Sequence, residues 1–98
     1  MIYRIVIEPI AIEDMQQAID YYDKQQIGLG KKFENTLNKH LISLQKNPFF
    51  RIRYDNVRCL PIKKYPYMIH FTVQEEAKTI IIRAVFNTYR NPDIWKDR

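Results

Sequence analysis

Residues 57–90 read VRCLPIKKYPYMIHFTVQEEAKTIIIRAVFNTYR, and the fold is decided by how this stretch is divided. Apolar and polar residues alternate as in strands, with one break at Tyr65-Pro66 and another from Gln74 to Lys78. Three strands are expected, over about 57–63, 67–74 and 79–87, joined by links short enough for antiparallel hairpins. On the middle strand Tyr67, Ile69, Phe71 and Val73 form the apolar face, leaving Met68, His70, Thr72 and Gln74 outward. On the last strand Ile80, Ile82, Ala84 and Phe86 are the inward set, with Ile81, Arg83, Val85 and Asn87 outward. Leu60 and Ile62 point inward on the first, Cys59 and Lys63 outward; Arg58 is inward by parity but can run its stem along the core and free its charge. A slip of one residue would exchange the two sets.

Upstream, IYRIVIE (2–8) alternates Tyr3, Ile5 and Ile7 against Ile2, Arg4, Val6 and Glu8, a strand that Pro9 ends. The period then changes. Ala11, Met15, Ala18, Ile19 and Tyr22 recur at helical steps, predicting a helix over about 11–26, with Glu13 and Asp14 in its first turn and Gly28 as a left-handed terminator. Phe33, Leu37, Leu41 and Leu44 mark a second helix from Leu29 or Gly30, closed by Asn47-Pro48. The short link makes the two an antiparallel hairpin. His40 lies beside the apolar stripe, where a lone histidine is ordinarily structural. FFRIRYDN (49–56) is a basic, aromatic connector, either a loop or a short edge strand.

The fold class is therefore α+β in the order β-α-α-β-β-β, a helix hairpin on one face of a small, largely antiparallel twisted sheet. Residues 1–98 form a single domain: there is no repeat or linker, and a chain of this length can bury a modest core. One cysteine allows no internal disulfide and fits a reducing compartment. No apolar run spans a membrane and no signal peptide is legible, so a cytoplasmic protein is expected. Neither metal-ligand spacing nor a phosphate-binding loop occurs, and no metal or cofactor is expected.

The net charge of +5 is unevenly placed. Residues 1–47 hold six Lys or Arg and six Asp or Glu, whereas residues 48–98 hold ten against five. Such a surface steers and holds a polyanion, nucleic acid or an acidic protein, or merely aids solubility. By the face assignment Lys63, His70, Arg83 and Asn87 share one side of the sheet, with Tyr89 and Arg90 at its edge. Guanidinium groups clamp phosphate and tyrosine stacks on bases, so Arg58, Lys63, Lys64, Arg83, Asn87, Tyr89 and Arg90 are the candidates for binding a target or nucleic acid. For RNA cleavage His70 is the candidate base, with Lys63, Arg83 and Arg90 to stabilise charge. The competing reading pairs Arg83 with Glu75, Glu76 or Asp93, and leaves His70 as a satisfied strand residue.

The order and spacing of several pieces resemble the RelE/ParE superfamily of bacterial toxins, including its plasmid-stabilisation members. They are Ala11 through Asp14 to Tyr21-Tyr22, Gly30-Lys31-Lys32-Phe33, Asn47-Pro48, Val57-Arg58, Tyr65 to Phe71, Ala84-Val85-Phe86, and Arg90-Asn91-Pro92 with Trp95. The resemblance implies a toxin of a type II toxin-antitoxin system, neutralised by a cognate antitoxin. The target would be DNA gyrase for a ParE-like member, or messenger RNA on the ribosome for a RelE-like endoribonuclease. A non-toxic binding module of the same fold is a third possibility. Asn87 stands where related sequences often carry histidine and cannot serve as general acid or base near neutral pH, which counts against a ribonuclease site; the helix hairpin, with Tyr21-Tyr22 and the long second helix, looks more like ParE-like members, and enzymatic activity is left undecided. Homodimers and toxin-antitoxin hetero-oligomers are both compatible with the resemblance. Asp93-Ile94-Trp95 is expected to pin the tail to the sheet.

Overall fold

A computed structural model describes residues 2–89. Arg90 and the tail containing Trp95 lie outside the described residues. The elements are β1 (Arg4–Ile7), α1 (Pro9–Gln25), α2 (Leu29–Lys46), β2 (Ile52–Tyr54), β3 (Val57–Pro61), β4 (Tyr67–Gln74) and β5 (Thr79–Asn87). They make one five-stranded sheet ordered β1-β5-β4-β3-β2, with the helix hairpin on one face. Only β1–β5 is parallel.

The local reasons are short-range. Pro9 starts α1 rather than only ending β1: its missing N–H costs nothing in the first turn. The carbonyl of Glu8 accepts from the N–H groups of Ala11 and Ile12. Glu13 and Asp14 thus fall in the second turn, a correction to the expected start at Ala11. Gly28 does adopt a left-handed conformation, φ +98°, between the helices. Gly30 lets them touch. A β-carbon there would lie 2.5 Å from the Ile19 carbonyl oxygen, and the Gly30 N–H donates to Asp23 Oδ1 at 2.8 Å.

The core between helices and sheet holds Phe33, Leu37 and Leu44 against Ile69, Phe71, Ile80 and Ile82, all buried, with Tyr3 and Met15 alongside. Ile5 and Ile7 pack onto it while Arg4 and Val6 stay exposed, as the alternation of β1 requires. At one end Tyr22 stacks on Phe33 (5.4 Å) and meets Tyr65 edge-on (5.3 Å), tying the β3–β4 turn to both helices. Burial, then Tyr67, Tyr21 and Tyr65, pushes the Tyr22 hydroxyl above its usual pKa.

The face assignment fails halfway along β5. Phe71 pairs with Ile82 but His70 pairs with Ala84, so Arg83 is an extra residue, a β-bulge. Beyond it the parity reverses. Val85 and Asn87 join Ile69 and Tyr67 on the helix side, and Ala84 and Phe86 join His70 and Met68 on the other. The Val85 N–H at this point donates to Asp14 Oδ2 on α1 (3.1 Å), which fixes the bulge to the helix. The connector 49–56 yields the short edge strand β2, one of its two expected forms.

Candidate interaction surface

The bulge separates residues that strict alternation would place together. His70 is not on an open face: it is fully buried, with Nδ1 3.0 Å from the Tyr54 hydroxyl and 3.4 Å from Cys59 Sγ, and its ring meets Phe86 edge-on. Met68, Thr72, Ala84 and Phe86 on the same side of the sheet are buried too. Burial raises the Cys59 thiol to about 11, against a smaller lowering by Arg53, so it stays protonated and unreactive at neutral pH. Arg83 ion-pairs with Glu8 at 2.9 Å, not with Glu75 or Glu76. Asn87 lies across the sheet from His70. Lys63, His70, Arg83 and Asn87 therefore do not form one site.

Lys63 and Lys64 sit in the β3–β4 turn, past the end of β3, both exposed. The turn is held from below. The Lys63 N–H donates to His40 Nε2 (3.1 Å), which places the imidazole proton on Nδ1, where it donates to the Thr36 carbonyl (2.8 Å). His40 is thus a bracket between α2 and the turn. Thr88 N–H donates to the Pro66 carbonyl, bringing the end of β5 beside the same turn. Asn87 Oδ1 accepts from Tyr89 N–H at 2.8 Å, and Tyr89 is 86% exposed. Lys63, Lys64, Asn87 and Tyr89 accordingly share one end of the sheet. A cavity of about 300 Å³ opens there toward α1, lined by Asp14, Gln17, Tyr21, Tyr67, Val85 and Asn87. It offers hydrogen bonds and ring contacts, with no histidine or thiol.

The other concentration of charge runs along the β2–β3 edge. Arg51 and Arg53 are exposed, and Arg58 is half-buried with its guanidinium 5.4 Å from the Phe49 ring. Phe49, Phe50 and Ile52 are exposed between them. This alternation of cations and apolar groups suits an acidic, partly apolar partner. Arg51 and Arg53 carry no sequence motif. The run FFRIRY was their only signal. Asp14 and Tyr21, both part of the cavity, read in the sequence only as a first-turn carboxylate and as pieces of the family resemblance, not as site residues. Among the described residues no group of three His, Cys, Asp or Glu could hold a metal ion, and no helix is long and apolar enough to cross a membrane.

Comparison with solved structures finds the same architecture. A chain of the chromosomal ParDE system of P. aeruginosa superposes with a TM-score of 0.78 at 19% identity, covering 88% of this chain and 96% of that one. The fold is that of the RelE and ParE toxins. The E. coli toxin RelE, as an arginine-to-alanine mutant in the free state, has the RelE/ParE fold at a TM-score of 0.71 and 13% identity, covering 98% and 93%. The E. coli RelBE toxin-antitoxin complex contributes a chain at 0.69 and 15%, covering 90% and 99%. No known family profile and no curated protein matches the sequence. The RelE/ParE fold confirms the α+β order expected from the residues.

Proposed function

We propose that this chain is the toxin of a type II toxin-antitoxin pair, and that it arrests growth by binding an essential target rather than by cutting RNA. The fold shared with ParDE and RelBE chains supports the toxin reading. The observation that carries the choice of mechanism is the dispersal of the candidate catalytic groups. His70 is buried against Tyr54 and Cys59, Arg83 is paired with Glu8, and Asn87 is on the opposite face of the sheet. A general base must reach the proton it removes. What is accessible is a binding surface: Lys63, Lys64 and Tyr89 at one end, Arg51 and Arg53 along the edge. The favoured target is DNA gyrase, as for ParE-like members, and a cognate antitoxin of acidic character covers the basic surface. The protein works in the cytoplasm.

Expression of the chain alone in bacteria tests this reading. Growth arrest with gyrase-linked DNA breaks is the expected result. Arrest with rapid, codon-spaced cutting of messenger RNA would replace it with the ribonuclease reading, and normal growth with folded protein would leave a binding module. The K63E/K64E variant should grow normally while keeping its thermal midpoint, since both side chains are exposed.

A further inference from the structure

The sheet has two edges of unlike character. β2 is three residues long, its register is broken between Ile52 and Tyr54, and Arg51 and Arg53 flank Ile52. Short, irregular, charged strands resist further pairing. β1 is unbroken and pairs evenly with β5 from Arg4 to Ile7. Its ladder alternates. Arg4 N–H donates to the Lys78 carbonyl and Glu8 N–H to the Ile82 carbonyl, so positions 4, 6 and 8 turn their backbone groups to β5. Positions 3, 5 and 7 turn theirs away. Tyr3 is satisfied there, its N–H by the Gln45 carbonyl and its carbonyl by the Gln45 side-chain amide. Ile5 and Ile7 present their N–H and C=O groups at the edge, where the sheet has no further strand among the described residues.

We propose that this edge binds a second copy of the chain, β1 pairing antiparallel with itself about a two-fold axis at Val6. The backbone selects that register. With the axis at Val6, Ile5 of one copy faces Ile7 of the other, and all the edge-facing groups of both residues are used. With the axis at Ile5, Ile7 would face Tyr3, whose groups are taken by Gln45. With the axis at Ile7, Ile5 would face Pro9, which has no N–H and already belongs to α1. The side chains agree with the same choice. Arg4 comes opposite Glu8 of the other copy, twice, and Val6 meets itself. Glu8 already receives Arg83 at 2.9 Å, and a carboxylate can accept from two cations. Val6 is 41% exposed and Ile2 69%, apolar area that such a contact would cover. The contact rests on backbone geometry and holds whether or not the chain arrests growth.

A pair of short strands falls below the roughly 1,200 Å² of stable complexes, so the dimer is a weak, reversible one. Sedimentation of the untagged chain from about 10 µM to about 1 mM, spanning the dissociation constants of a weak contact, should show a monomer–dimer equilibrium. V6K alone and V6E alone each set like charges face to face on the axis and should remain monomeric across that range. Mixing the two should restore a one-to-one dimer, because lysine then faces glutamate. R4E provides a second disruption at an exposed position, setting glutamate against Glu8, and should weaken association at least about fivefold. A wild-type chain monomeric at the top concentration would overturn the proposal. So would single variants that still dimerise, or a mixture that stays monomeric, with folding checked by circular dichroism.

Discussion

Replacing Gly30 with alanine sets two well-understood effects against each other. In an exposed helix interior the change would add about 1 kcal/mol of stability, because alanine loses less backbone freedom on folding. Here the added β-carbon would lie 2.5 Å from the Ile19 carbonyl oxygen and 2.7 Å from Asp23 Cγ and Oδ1. Ordinary carbon contacts need about 3.5 Å, so α1 and α2 must separate by about 1 Å at the Ile19 carbonyl, and the Asp23 side chain must shift as well. Asp23 cannot leave without cost, since its carboxylate accepts the Gly30 N–H at 2.8 Å. A hydrogen bond to a charged group contributes about 1.5–3 kcal/mol. Overpacking of a tight contact costs about 1–3 kcal/mol. The net expectation is destabilisation by about 1–3 kcal/mol, with a melting midpoint lowered by about 4–8 °C for each kcal/mol. Urea titration of the wild type, G30A, D23A and the double variant measures it. The double variant should lose less than the sum, because removing the Asp23 side chain relieves part of the clash. A midpoint for G30A equal to or above the wild type would refute the close-contact account and return the position to helix propensity alone.

Three other consequences can be measured on the same footing. The folded-state pKa of Cys59, about 11 against an ordinary 9, makes stability fully present below pH 9 and lost as pH rises toward 11. Urea midpoints should fall over that window in the wild type and less in C59A, and native Cys59 should resist alkylation at pH 8. D14A strands the Val85 N–H at the bulge and should cost about 1–3 kcal/mol, whereas D14N keeps an acceptor and should cost less. R83A removes only an exposed ion pair and should change stability by less than about 1 kcal/mol, visible as a nearly unchanged thermal midpoint.

The helices and most of the core were legible because each has a strong period. Phe33, Leu37, Leu41 and Leu44 announce α2, and Tyr67, Ile69, Phe71 and Val73 announce the inner face of β4. The strand order was less so, since local pattern does not say that β1 sits beside β5. The unbroken run Ile80-Ile81-Ile82 was the available hint, as a strand flanked on both sides tends to be apolar on both faces. That same run hides the parity on which the site assignment depended. The bulge at Arg83 is specified by a carboxylate on α1, far away in sequence, and nothing local to β5 announces it. His70 was misplaced for another reason. Its neighbours Met68 and Thr72 are residues that tolerate either environment, so alternation could mark the second face but not whether that face is covered. Lys63 was placed at the end of a strand that stops two residues earlier, at Pro61, where the turn begins.

The pairing of β1 with β5 also bears on how the chain is made. Arg4 finds its partner at Thr79, and Ile7 at Ile82. During synthesis β1 emerges long before β5, and its ladder has no partner until the helices and the strands between have left the ribosome. The helix hairpin, whose contacts are local, can form early and must wait with Phe33 and Leu37 uncovered. Closing so long a loop is entropically costly and slows the last step. The nascent chain is therefore committed to completing its sheet late, and a truncated product lacking β5 would leave β1 without its partner strand.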